Sequence, residues 1–229
     1  MTVYLIINIL IIIFPLIFSF EKKIFFFRKL PDLFISVTAV GAVFLLWDSV
    51  AVKRGDWSFN PEYVTVLPFI NLPFEELLFF ITVPYSILFI YECVLLYSSN
   101  NQAAVNHNFL ILPTILFALT GLLFYEKNYT FTVLMYASAL LLIIIVFRLN
   151  FILYKSFYLT VLISFIPFLA VNYFLTSLPV VIYNSSEITG VKFISIPAED
   201  FLYSTSMIAS WIAVYRLSKE RRVISYKTV

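Results

Sequence analysis

Cysteine and histidine each occur once in the 229 residues, and glycine only four times. Cys93 therefore cannot form an internal disulfide, has no partner for a metal site, and says nothing about redox compartment. A single histidine, His107, argues against a histidine-based metal centre or a Ser-His-Asp triad. Four glycines leave no Gly-x-Gly-x-x-Gly phosphate cradle, so no dinucleotide fold is expected. Charge is scarce too: 12% of residues, with a net charge of +2. The basic residues flank apolar runs instead of forming a patch, which makes them topology signals and not a nucleic-acid surface. Neither a low-complexity segment nor a short solenoid period is present.

Hydrocarbon is abundant. Hydrophobic residues make up 62% of the chain and mean hydropathy is +0.98, against roughly half apolar in soluble domains. Arranged in long runs, this excess marks a polytopic membrane protein. Seven segments are long enough to span, at 2–20, 32–51, 74–97, 109–125, 129–147, 156–176 and 198–217. The first lacks a basic n-region and a small-residue cleavage site, so a retained span is expected and not a signal peptide. With the N-terminus outside, eleven basic residues fall on cytoplasmic segments (Lys22, Lys23, Arg28, Lys29, Arg148, Lys155, Arg216, Lys219, Arg221, Arg222, Lys227) and four outside (Lys53, Arg54, Lys127, Lys192). That asymmetry favours a multi-pass protein of the cell membrane with its N-terminus outside and its C-terminus cytoplasmic.

Two acidic motifs interrupt the hydrocarbon. Pro73-Phe74-Glu75-Glu76 and Pro197-Ala198-Glu199-Asp200 lie 124 residues apart, and each follows an asparagine, Asn60 or Asn184, by thirteen residues. Shifting spans one to three by the same interval lands on spans five to seven. The expected fold is an all-α integral membrane protein with seven transmembrane helices, built as two parallel three-helix repeats (1–107 and 129–229) joined by a linker helix (108–128).

Proline followed by acids is an ordinary helix start, with the acids facing the positive end of the helix dipole for about 0.3–1 kcal/mol each. An acid at the bilayer centre costs about 2.5–3.5 kcal/mol on insertion scales. The dipole offsets only part of that for two acids, and the arrangement occurs twice, so Glu75, Glu76, Glu199 and Asp200 are the candidate catalytic residues. Adjacent carboxyls in an apolar pocket cannot both ionise cheaply, which places an acid and a base together. Trp57, Phe59, Phe79, Phe80 and Tyr203 offer ring faces that stabilise cations. Acid, base and aromatic walls suit protonation of an alkene and rearrangement of the carbocation. Both motifs are expected to approach one hydrophobic cavity.

At these residues the chain resembles a known family. Trp57-Ser58-Phe59-Asn60-Pro61, then Leu72-Pro73-Phe74-Glu75-Glu76-Leu77-Leu78-Phe79-Phe80, then Tyr91-Glu92, is similar to the lycopene cyclase domain. This small integral-membrane type occurs in some bacteria, archaea and fungi, either split into two short subunits or fused into one chain. Both halves are present here. The second keeps Asn184 and Pro197-Ala198-Glu199-Asp200, lacks the Trp-x-Phe-Asn-Pro string, and has Ser185 in place of the proline. The resemblance implies cyclisation of the linear ends of lycopene to β-ionone rings, an isomerisation without net redox change. It also implies a lipophilic carotenoid as partner within membrane lipid, with no cofactor, no metal and no nucleic acid. Homo-oligomerisation is left open.

Other residues rank lower. Asp48 reads equally as an orienting group and as an interfacial acid. Glu92, about 25 Å along its helix from Glu75, reads as a solvated or locally paired residue, His107 as an exposed loop histidine, and Glu62 and Glu187 as solvated loop acids. Asn60 and Asn184 read mainly as loop hydrogen-bonding residues, with substrate contact the lesser reading. Competing functions lack their parts. No lysine lies within Phe201–Tyr215 for a retinal Schiff base, Phe80 stands where a Glu-Glu-x-x-x-Arg protease needs arginine, and no Asp-rich diphosphate site for prenyl transfer is present. The remaining alternatives are a non-catalytic membrane scaffold or transporter, and a paralogue acting on another carotenoid or isoprenoid.

Overall fold

A computed structural model describes residues 2–65, 67, 71–98 and 106–227. Among these, seven α-helices carry the fold: α1 (Val3–Phe18), α2 (Leu30–Arg54), α3 (Phe74–Tyr97), α4 (Ile111–Leu123), α5 (Asn128–Val146), α6 (Lys155–Ser177) and α7 (Ala198–Lys227). Four short strands, β1 (Trp57–Phe59), β2 (Val181–Tyr183), β3 (Lys192–Phe193) and β4 (Ile196–Pro197), lie between helices. The expected all-α class holds.

Four stretches are long and apolar enough to cross a bilayer by themselves: Phe26–Arg54, Phe74–Tyr97, Asn128–Val146 and Lys155–Ser177. α1 and α4 are shorter, at 16 and 13 residues, or about 24 and 20 Å at 1.5 Å per residue. α4 stops early because Phe124 to Lys127 fold into a tight turn, with the Lys127 N–H donating to Phe124 O at 2.9 Å. The polarity of the molecule suits lipid. Leu10, Phe14, Leu46, Ile166 and Leu123 are exposed, while Asp32, Asp48, Glu75, Glu76, Glu92, Glu199 and Asp200 are buried.

α1 packs on α3 and α5 on α7, while α2 crosses to α7 and α6 crosses to α3, so the two halves interlock. Trp211, Ile212 and Tyr215 of α7 and Leu88 and Tyr91 of α3 form the centre of the core. Pro15 cannot donate to Ile11 O within α1, and the Ser86 hydroxyl of α3 approaches that carbonyl at 2.9 Å instead. Gly55, at φ 89°, ends α2 in the left-handed conformation and lets its N–H reach Ala51 O at 3.0 Å. The chain then enters β1, which pairs antiparallel with β2 in the register Trp57–Tyr183, Ser58–Ile182 and Phe59–Val181. Ser58 and Ile182 are themselves 124 residues apart, the same interval that separates the two acidic motifs.

At the far end of the bundle the Glu92 carboxylate accepts from Lys29 (2.5 Å), Lys219 (2.6 Å) and the Tyr215 hydroxyl (2.7 Å). Asp32 pairs with Arg222 and accepts from Ser218 at 2.8 Å. Glu92 is thus the locally paired acid, fully enclosed, and it ties α3 to α7.

Candidate active site

The two acidic motifs open α3 and α7. Pro73 does not occupy the first helical position expected for it. It is the residue before α3, extended at φ −64° and ψ 151°, and Pro197 lies in β4 immediately before α7. Each proline closes an extended segment that folds back onto the preceding loop: the Phe74 N–H donates to Thr65 O and the Ala198 N–H to Val191 O, both at 2.9 Å.

This fold-back separates the members of each acid pair. Glu75 points to the loop, accepting from the Thr65 N–H at 2.9 Å and from Thr2 Oγ1 at 2.6 Å. Glu199 does the same with the Thr189 N–H at 2.6 Å and Thr130 Oγ1 at 2.7 Å, and its Oε2 is buried without a partner. Thr65 and Thr189 stand at the 124-residue interval. Glu76 points between helices and accepts from the Tyr4 hydroxyl at 2.6 Å. Asp200 accepts from Tyr129 at 2.6 Å and from Tyr183 at 2.9 Å. Asn8 fixes the first half further, donating to Glu75 O at 3.0 Å while its own oxygen accepts from Thr82 at 2.7 Å.

Asp48 is buried and accepts from the Tyr203 hydroxyl at 3.2 Å. It is an electrostatic neighbour of Glu76, which makes it an interior group and not an interfacial acid. In β2, burial, followed by the adjacent Asp200 carboxylate, pushes the Tyr183 phenol well above its ordinary range, and Glu76 adds to the push. Tyr183 therefore keeps its proton and lies within the field of acids from both halves.

A cavity of about 420 Å³ lies between α1, α3, α6 and α7. Its floor is Trp211, Ile208 and Met207, all buried, and its mouth is flanked by the exposed Leu10, Phe14 and Phe18. Phe79, Tyr183, Tyr203 and Asp200 line it. Of the four acids only Asp200 reaches this space; Glu76 is turned to Tyr4, and Glu75 and Glu199 are turned to the loops. The expectation that both motifs meet one cavity thus holds for one motif.

Among the aromatic candidates, Phe79 and Tyr203 face the cavity. Phe80 is in the core and stacks with Phe44 at 6.2 Å. Trp57 is buried against Tyr129 at 5.3 Å, and Phe59 packs into the same cluster, both as residues of β1 itself. Asn60 and Asn184 shape loops: their side-chain oxygens accept from the N–H groups of Glu62 (3.0 Å) and Ser186 (3.2 Å). Glu187 is no free loop acid, since it accepts from the N–H of Asn128 at 2.9 Å and so caps α5. His107 opens a 3-10 turn and is half-buried, not exposed.

The partners of the acids, Tyr4, Tyr129, Thr2, Thr130, Thr65 and Thr189, escape sequence reasoning. Their one signal is a hydroxyl-bearing pair at the mouths of spans one and five, Thr2/Tyr4 and Tyr129/Thr130.

The Asn128 hydrogen bond holds the Glu187 carboxyl below the usual carboxylate range. A depressed folded value adds stability above the unfolded value, about pH 4.3, and that contribution disappears as pH falls through the folded value. Amide exchange at Asn128 is expected to be slow at pH 7 and to accelerate below about pH 4, beyond the intrinsic pH dependence. Unchanged protection across that range would contradict the cap.

These features define an α-helical membrane protein with four buried carboxyls at two helix starts, one of which lines an apolar cavity. The lycopene cyclase family profile matches residues 1–94 and again 126–218, and the chain belongs to that family. No curated protein and no solved structure matches it.

Proposed function

We propose that the chain is a lycopene β-cyclase, an isomerase of the intramolecular-lyase type that closes the linear ends of lycopene into β-ionone rings without a redox cofactor. The observation that carries this reading is Asp200, buried, held by two phenols and lining an apolar cavity whose mouth lies among lipid-facing side chains. A C40 hydrocarbon is dissolved in lipid and would enter sideways.

The reaction moves one proton in and one out. A carboxylic acid protonates the terminal double bond. The tertiary cation is attacked by the next double bond in reach, which forms one carbon–carbon bond and a six-membered ring. The ring cation then loses a proton to a carboxylate. Asp200 faces the end group; as the acid it gives the first proton and as the carboxylate so formed it takes the second, while Glu76, buried against Tyr4, is the corresponding carboxyl of the other repeat. Glu75 and Glu199 are positioning residues that pin each loop to its helix start. Phe79 and Tyr203 present ring faces to the cation. Residues 1–107 and 129–229 act as the two repeats and 108–128 as the link, oriented in the cell membrane with the N-terminus outside and the C-terminus cytoplasmic.

Expression in cells that accumulate lycopene tests the activity. The expected result is conversion to a cyclised pigment of unchanged mass. Unaltered lycopene beside a well-expressed, membrane-inserted protein would overturn the reading.

A further inference from the structure

The cavity has a twin. A second space of about 130 Å³ is lined by Val43, Phe44, Trp47, Thr132, Val133, Tyr136 and Tyr203. Adding 124 to Val43, Phe44 and Trp47 gives Pro167, Phe168 and Val171, which line the large cavity. Subtracting 124 from Tyr203 gives Phe79, which also lines it. The two spaces therefore occupy equivalent places in the two halves, one between α1 and α6 and the other between α5 and α2.

They differ in what fills them. Ligand sites generally occupy about 300–1,000 Å³; the first space is within that range and its twin is well below it. Trp47 stands where the large cavity has Val171. Phe44 packs between Tyr203 (5.4 Å) and Tyr136 (5.1 Å), whereas its counterpart Phe168 packs on Phe201 (5.2 Å). Tyr136 is locked by a 2.6 Å hydrogen bond with Ser210, a position that carries Ser86 in the other half. Three rings thus occupy the space in one half that is open in the other.

We propose that each chain has one working end-group pocket, beside Asp200, and that its twin is closed, with the Val171/Trp47 pair as the determinant. A linear carotenoid then reacts one end at a time. The half-cyclised molecule leaves, turns in the membrane and re-enters by its other end. This rests on the cyclase reading and adds to it which half does the chemistry.

The test uses the full chain in lycopene-loaded liposomes. Val171→Trp, which copies the closed twin, is expected to lose about 100-fold of the conversion rate. Val43→Phe, at the rim of the twin, is expected to stay within about twofold. With lycopene in excess, the wild type is expected to release mostly monocyclic pigment early in the reaction. Equal losses in the two variants, full activity of Val171→Trp, or bicyclic pigment predominating from the first turnovers would each overturn the inference. If Val171→Trp fails to insert, the early product ratio of the wild type decides alone. A wild type that leaves lycopene untouched would instead defeat the cyclase reading itself.

Discussion

Asp200→Asn is expected to lower cyclisation by about 10²- to 10⁴-fold, the range spanned by general acid–base catalysis. The amide preserves shape, and its oxygen still accepts from one phenol, so packing around Tyr129 and Tyr183 survives. It cannot give or take the proton. Glu76→Gln is expected to fall less far, since Glu76 contacts Tyr4 and not the cavity wall. Glu199→Gln should lose about tenfold or less, because one oxygen accepts from both threonines and an amide oxygen can replace it, at the cost of a charge-assisted bond; Glu75→Gln should lose more, because Glu75 uses separate oxygens for Thr2 and Thr65 and the amide keeps only one of them. Initial rates of pigment conversion, normalised to inserted protein, measure this order. Wild-type rates for Asp200→Asn would remove Asp200 from the chemistry.

The second large effect is on stability. Glu92→Gln leaves Lys29 and Lys219 without their shared anion at the far end of the bundle. Breaking a buried ion pair costs about 3–5 kcal/mol. Both lysines retain a quarter to a third of their side-chain exposure, so they can reach water or headgroups and the expected loss is nearer 2–3 kcal/mol. The thermal midpoint in detergent should fall by several degrees. Adding Lys29→Gln should then cost less than it does alone, since the pair is already broken. An unchanged midpoint for Glu92→Gln would show the cluster to be energetically idle.

The sequence made some of this visible for clear reasons. Apolar runs of span length end at turn residues, so 74–97 and 129–147 nearly coincide with α3 and α5. Acids in hydrocarbon are rare enough that Glu75, Glu76, Glu199 and Asp200 stand out together from their neighbours, though nothing in the sequence separates the members of each pair. Other features depend on contacts across the chain. Tyr4 and Tyr129 have no mark in the sequence beyond a hydroxyl near a span mouth, and only the packing of α1 on α3 and α5 on α7 brings them to the acids. Glu92 joins partners 63 and 127 residues distant. The division of each acid pair into a loop-facing and a helix-facing member follows from the fold-back of the extended segments, which begins with prolines one residue earlier than a helix-start reading expects. The unequal cavities arise from single positions, Trp47 against Val171, whose equivalence emerges only once the halves are set in register.

The most direct measurement is conversion of lycopene by the purified chain in liposomes without added cofactor, comparing the wild type with a variant carrying both Glu76→Gln and Asp200→Asn. Ring-bearing pigment from the wild type and unchanged lycopene from the variant is the predicted outcome. An inert wild type, or a variant as active as the wild type, would contradict the assignment of this chemistry to the buried carboxyls.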